Sequence, residues 1–304
     1  MKIYCIIVTY NGMKWIPRCF ESLKKSSVPL QILVIDNAST DEGVEYIKRN
    51  FQDATVVESK TNLGFCKANN IGIQKAFTEG ADYFFLLNQD TWIRENTIAE
   101  LLQTAVQFKE FGILSPFHVT AEGDKLETQF TEFLSFQYTG MLVSDIFFQQ
   151  LKQVYETNYI HAASWFISRQ CIEKVGAFDP FYFHNGEDDD YMQRVKYFGF
   201  KLGLVPAAVI THDGIHKTWD MIEWDEKRNM IFAFQQLKKM SSSFRSNVLV
   251  YLKNTFDELT GLLLFRKFKK FSFRFKIARK VVFSLRKVHQ SYKSSFREGA
   301  FLNL

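Results

Sequence analysis

The sequence predicts an α/β protein: a mostly parallel sheet covered by helices, followed by a basic amphipathic helical tail. Three observations predict it. Short apolar runs alternate with helically spaced segments through the first 108 residues. Those runs are apolar at successive positions, as in strands buried on both faces, instead of alternating with polar residues. The charge is also split along the chain. From Arg266 onward, 12 Lys and Arg face one acid, Glu298, a balance of +11; the whole chain carries +5, so the first 265 residues carry −6. A mildly acidic body with a basic tail implies two jobs in two places.

The elements follow in order. Residues 3–8, IYCIIV, are a first strand, and residues 13–25 have helical spacing. Strands over 32–35, 54–57 and 83–87 alternate with helices over 41–50, 65–77 and 97–108. From about residue 115 to 167 the pattern breaks into a stretch rich in Phe, Tyr, Thr and Gln, which predicts hairpins and loops with a strand over 159–167. GEDDDYMQRVKYFGF returns to helical spacing through Tyr191, Val195 and Phe198. Residues 202–210 are a strand interrupted by Pro206, and 221–240 a helix. Ser241, Ser242 and Ser243 mark a joint. The expected organisation is a main unit over 1–240, with halves over about 1–115 and 116–240 divided where the alternation breaks, and a basic helical region over 241–304.

Composition narrows the class. Four scattered cysteines, Cys5, Cys19, Cys66 and Cys171, form no CxxC pair, which suits a reduced, cytoplasmic setting. The first apolar run ends in polar residues without a small-residue cleavage site, so it reads as a strand and not as a signal peptide. No stretch approaches the roughly 18 apolar residues of a spanning helix.

In parallel α/β sheets ligands bind beyond the carboxyl ends of the strands. Residues just past those ends therefore carry the chemistry or merely form turns. Asp36 is a turn former, or a carboxylate that accepts from the imide N–H of uracil or thymine. TNLGFCKANNIGI, with Gly64, is a plain loop, or a tight turn into a helix whose N-terminus attracts phosphate. Asp90, after LLNQ, closes a turn or supplies an oxygen ligand to Mg²⁺ or Mn²⁺. Glu187 to Asp190 complement the helix dipole, or crowd one another so that repulsion raises at least one pKa and a carboxylate stands ready to take a proton from a hydroxyl. His212, in VITHDG, is a polar turn residue or a contact to metal or diphosphate.

Taken in order, VTYNG, VIDNAST, NLGFCKANN, LLNQDT, GAFDPFYFHNGEDDDYMQR and THDG make residues 2–215 resemble the family-two glycosyltransferases of the GT-A fold. The nearest branch is the bacterial rhamnosyltransferase-like one of surface-polysaccharide synthesis. The resemblance implies a nucleoside pocket lined by Thr9, Tyr10, Asn11, Asp36 and Asn37, with Asn62, Gly64 and Asn69 around the nucleotide. It implies Asp90 as the metal-binding acid of a DXD-type motif, flanked by Asn88 and Gln89, and His212 as a second contact to metal or diphosphate. Asp188 would be the catalytic base, with Glu187 beside it and Arg194 supporting their loop. One departure stands out: Asn88 occupies the first position of the DXD motif, so the cation has one fewer anionic ligand.

The implied reaction is inverting transfer of a sugar from a UDP- or dTDP-sugar, with dTDP-rhamnose a candidate donor, to a hydroxyl of a glycan, expected to be lipid-linked. Mg²⁺ or Mn²⁺ would assist. A sugar-phosphate nucleotidyltransferase is the alternative enzyme, but VTYNGMKW is a poor match to its Gly-rich basic loop; a membrane-attached scaffold is the non-enzymatic alternative. In the tail, Phe268, Phe271, Phe275, Ala278, Val282 and Leu285 make an apolar helical stripe among Lys and Arg. It is expected either to lie on an anionic membrane, at the inner face of the cell membrane, or to pack on the body or on a second copy in a homodimer. So much Phe on one face argues against nucleic acid.

Overall fold

The computed structural model describes residues 1–214 and 221–302. The first part runs β1 (Ile3–Thr9), α1 (Ile16–Lys24), β2 (Gln31–Asp36), α2 (Gly43–Asn50), β3 (Thr55–Glu58), α3 (Gly64–Thr78), β4 (Tyr83–Asn88), β5 (Thr91–Ile93), α4 (Thr97–Gln107) and β6 (Phe111–Val119). Three short helices follow, α5 (Thr128–Thr131), α6 (Phe136–Thr139) and α7 (Leu142–Phe147). Then come β7 (Tyr155–Thr157), β8 (Ser164–Ser168), α8 (Arg169–Val175), α9 (Glu187–Tyr197) and β9 (Lys201–His212). Three long helices complete it: α10 (Met221–Leu237), α11 (Phe244–Leu264) and α12 (Phe268–Ser294).

One sheet holds these strands in the order β3-β2-β1-β4-β8-β6-β9-β5, with β7 also paired to β9. β1 to β4, β6 and β9 point the same way, while β5, β7 and β8 oppose them. The mostly parallel sheet expected from the apolar runs is therefore present. Both of its faces are covered, as those runs require. Tyr4 and Ile6 of β1 enter one core with α3, α8 and α9, and Ile3, Cys5 and Ile7 enter the other with α1, α2 and α4. No helix among the described residues is long and apolar enough to cross a membrane.

The middle departs from expectation. In place of hairpins, β6 runs buried along all nine of its residues, and three short helices follow. Gly112, Ser115, Pro116 and His118 interrupt the apolar pattern of β6 and hide it, yet pairing with β8 and β9 sustains it. Two prolines share one irregularity. Between Pro116 and Phe117 the partner on β9 jumps from Val205 to Val209, so Pro206 falls in a bulge and β9 continues through it. The strand expected over 159–167 starts only at Ser164, and β5 was not foreseen.

The tail folds back onto the body. Ser243 caps α11, its hydroxyl accepting from Ser246 N (3.2 Å). On α12 the inward face is Ile277, Val281, Val288 and Ser291, packed with Ala233 and Leu237 of α10 and Tyr251 of α11. The expected stripe is thus only partly on the packing face: Leu285 packs against this cluster, while Phe268, Phe275 and Val282 stand exposed. Beyond α12, Ala300 O accepts from Ala177 N (2.9 Å). Gly176, at φ 87°, leaves room for that contact, since a Cβ there would strike Ala300.

Candidate active site

The carboxyl ends of β1, β2 and β4 are laced together by side chains. Gln89, just past β4, accepts at Oε1 from Thr9 Oγ1 (2.8 Å) and Tyr10 N (3.0 Å) and donates to Tyr10 O (3.2 Å). Asn11 takes a left-handed conformation (φ 49°), and its side-chain oxygen accepts from Thr40 N (2.8 Å). Asp36 is buried at the end of β2 and accepts from Ser39 N at both oxygens (3.2 and 3.3 Å). Asn37 donates to Asn62 Oδ1 (3.0 Å) and accepts from Leu63 N (2.7 Å), which fixes the turn into α3. Gly64 opens α3 at φ 79°, where a side chain would collide with Phe183. Asn69 lies further along α3, buried, donating to the Phe65 carbonyl (3.0 Å). Of this set Tyr10, Asn11 and Asn62 are turned to solvent, Tyr10 at 46% exposure.

β5 explains how Asp90 finds a partner. Pairing of Thr91 with His212 and the bond from Asp213 N to Asp90 O (2.9 Å) bring the end of β4 against the end of β9. His212 Nε2 lies 3.6 Å from Asp90 Oδ1. On the other side of the ring, Nδ1 lies 3.1 Å from Glu127 Oε1, and Glu127 Oε2 lies 3.5 Å from His118 Nδ1. Burial acts against charge on His212, but Asp90 and Glu127 outweigh it and raise its pKa to about 10. His118, wholly buried, is pushed down to about 4 mainly by burial, so its ring is neutral. Burial also disfavours the Glu127 charge, yet the two imidazoles hold its carboxyl well below the ordinary range. A polar cleft of about 290 Å³ opens beside this cluster, lined by Thr120, Glu127, Gln129, His212 and Asp213 among others.

The acidic run has divided roles. Asp190 is buried and bonded by Arg194 Nε (3.2 Å), while Arg194 also donates to Val175 O (2.8 Å) and Ala177 O (2.7 Å). Lys238, 1% exposed on the last turn of the α10 region, donates to Asp179 Oδ2 (2.6 Å) and pairs with Asp190. Ser291 of α12 donates to the same Asp179 oxygen. Asp189 accepts from Gln235 Nε2 (2.6 Å). Asp188 is half-buried, accepting from Tyr159 Oη (3.0 Å) and from the Asp189 backbone N (2.9 Å). From Tyr159 a row of rings leads back to the histidine cluster: Tyr159 to His161 at 5.4 Å, His161 to His118 at 6.4 Å, His118 to His212 at 6.2 Å. This row of rings links Asp188, through Tyr159, to the cluster that holds Asp90.

A model of glycosyl transferase family 2 matches residues 4–176, more than half of the chain. The chain belongs to glycosyl transferase family 2. Among its relatives is a dTDP-rhamnosyl transferase, RfbF of Shigella flexneri, 22% identical over 212 residues and 69% of each chain. Another is the N-acetylglucosaminyl-diphospho-decaprenol L-rhamnosyltransferase of Mycobacterium tuberculosis, 23% identical over 235 residues, 70% of this chain and 76% of that one. Further relatives match over shorter spans, 27% and 18% of their own length. In fold, the chain is similar to a mannosyltransferase of Pyrobaculum calidifontis in complex with GDP-Man and Mn²⁺, with TM-score 0.58, 16% identity and coverage of 99% of this chain and 84% of that one.

For this family-2 glycosyltransferase, the structure brings Asp90 to His212 and Gln89 to Thr9 and Tyr10, and it assigns Arg194 to holding the approach to α9. It adds Glu127, His118, Tyr159 and Lys238, which sequence reading missed. Glu127 is one of several acids, Glu122, Asp124 and Glu132 among them, in an aperiodic stretch. It reaches the site because residues 119–126 fold back on β6, with Glu127 N bonding to His118 O (3.0 Å).

Glu187 is also buried, and burial first, then Asp188 and its acidic neighbours, raise its pKa to about 8. Between the ordinary glutamate value of about 4.3 and that value, the native chain keeps a proton that the unfolded chain has lost. Its contribution therefore makes stability fall as pH rises across this window. Glu187→Gln is expected to flatten the decline in Tm between about pH 5 and pH 8 relative to wild type. Parallel Tm profiles for the two proteins would deny Glu187 that role.

Proposed function

We propose that the chain is an inverting glycosyltransferase that moves rhamnose or a similar hexose from a dTDP- or UDP-sugar to a hydroxyl of a lipid-linked glycan in surface-polysaccharide synthesis. The observation that carries this reading is the Asp90–His212 pair at the strand ends, linked by a row of rings to the half-buried Asp188. The rhamnosyl relatives named above support the donor, and the diphospho-decaprenol substrate of one of them supports the lipid-linked acceptor.

In this reading Tyr10, Asn11 and Asp36 receive the nucleoside, Asn37, Asn62, Gly64 and Asn69 shape the turn and helix beside it, and Asn88 and Gln89 hold the strand ends in place. Asp188 takes the proton of the acceptor hydroxyl as that oxygen bonds to the anomeric carbon and the bond to the diphosphate breaks on the opposite face. Tyr159 holds Asp188 in place until the acceptor arrives. A carboxylate and an imidazole 3.6 Å apart suit a divalent cation, and the nitrogen donor favours Mn²⁺ over Mg²⁺. Asp90 and His212 would hold such a cation, which would supply positive charge for the leaving diphosphate. The test is a screen of nucleotide sugars with mass-spectrometric detection of donor hydrolysis. Turnover of a dTDP- or UDP-sugar, lost with EDTA and in Asp90→Ala, is the expected result; no turnover of any donor would overturn the reading.

The C-terminal helices are proposed to rest on the inner face of the membrane, with 241–304 as a region distinct from the catalytic unit; a homodimer through the same helices is the competing arrangement. Leu249, Leu252, Phe256 and Leu263 of α11 and Phe268, Phe275 and Val282 of α12 are exposed apolar residues within a strongly basic region. Apolar insertion and anionic attraction would act together there. Phe275→Ser with Val282→Ser is expected to release the protein from anionic liposomes in flotation without a change in charge. Unchanged flotation would refute membrane contact through this face.

A further inference from the structure

We propose that Glu127 is the positioning residue of the cation site: it holds the Nδ1 side of His212 so that Nε2 faces Asp90, and it supplies the negative charge that Asn88 does not. This rests on the cation reading given above. Three observations carry it. Glu127 Oε1 and Asp90 Oδ1 stand on opposite sides of one imidazole, at 3.1 Å from Nδ1 and 3.6 Å from Nε2. A cation at Nε2 would displace the proton there, and the carboxylate beside Nδ1–H would then keep Nε2 turned to it as the lone-pair donor, which is how metal-binding histidines are commonly oriented. Glu127 is itself fixed. It caps the backbone turn that bonds to His118 O, and its second oxygen lies 3.5 Å from the wholly buried His118 ring. Finally, the strand-end motif reads Asn88-Gln89-Asp90, with Gln89 engaged by Thr9 and Tyr10, so that motif offers the cation one carboxylate. Glu127 reaches the same place from the segment that folds back on the end of β6, the strand beside β9.

The test is Mn²⁺ affinity without donor, read from the electron paramagnetic resonance signal of free Mn²⁺, on the full chain. Wild type is expected to bind. Glu127→Ala is expected to weaken Mn²⁺ by about 10–100-fold, the range found when the partner of a metal-bound histidine is removed. Glu127→Gln keeps an acceptor for Nδ1–H and is expected to lose less. Asn88→Asp placed in the Glu127→Gln background is expected to restore affinity by returning a carboxylate to the strand end. A purely structural role for Glu127 would not be rescued in that way. Wild-type affinity in Glu127→Ala would overturn the proposal while leaving the cation site standing. No Mn²⁺ binding by wild type would overturn both.

Discussion

Asp188→Asn is expected to lower sugar transfer by about 10²–10⁴-fold, the usual worth of a positioned general base. Donor affinity and Tm are expected to stay at wild-type values. The change is nearly isosteric: the amide oxygen still accepts from the Asp189 backbone N, and the amide NH2 takes the place of the oxygen that met Tyr159 Oη and donates to that hydroxyl instead. Asp188 also stands outside the ion network that holds α9, which runs through Asp190, Arg194 and Lys238. Loss of turnover would therefore report chemistry and not misfolding. Steady-state transfer by purified protein, beside calorimetric donor binding, checks this. Transfer within about threefold of wild type would remove Asp188 from the role of base.

Lys238→Met is expected to cost about 3–5 kcal/mol, because removing one member of a buried ionic group leaves the others charged and unpaired. Met preserves most of the aliphatic stem, so packing loss is minor. The orphans are Asp179, left with Ser291 and the Phe181 backbone N, and Asp190, left with Arg194. At present burial works against the Asp179 charge, but Lys238 chief among its partners outweighs it and holds that carboxyl below the ordinary range. A loss of this size is a large share of the ~5–15 kcal/mol that stabilises an ordinary domain. Urea unfolding measures it. A change under about 1 kcal/mol would mean that Lys238 is solvated and that the buried network is wrong.

The parts of this molecule that local chemistry decides were legible in the sequence. β1, β2 and β4 announce themselves because strands buried on both faces must be apolar throughout, and Asp36 and Asp90 attract notice because the chain turns polar where such strands end. What escaped depends on partners remote in sequence. β6 carries Ser115, Pro116 and His118 through the core, and only its neighbours in the sheet make it a strand. Glu187 to Asp190 look alike as a run of acids, yet Asp190 is a counter-ion and Asp188 faces a tyrosine. Lys238 looks like a solvated charge on a helix until Asp179 and Asp190 are placed around it. The stripe on α12 shows a similar ambiguity: two apolar faces are present, and periodicity does not say which one turns inward.

The clamp on Asp179 also sets a timetable. Its partners Lys238 and Ser291 lie 59 and 112 residues further along the chain. Closures over such spans are disfavoured until the contacts they bring repay the lost entropy. As the chain leaves the ribosome, β1 to β4 already have their neighbours in the early part of the sequence, and the nucleotide edge takes shape first. By then the segment from Gly176 to Asp190 has Phe65, Asn70, Tyr159, Tyr191 and Arg194 to hold it, but the Asp179 charge still lacks Lys238. The proposed base is locked in its working position only when the last helix docks. A nascent chain of this protein would pass through a stage that grips its donor before it is competent to spend it.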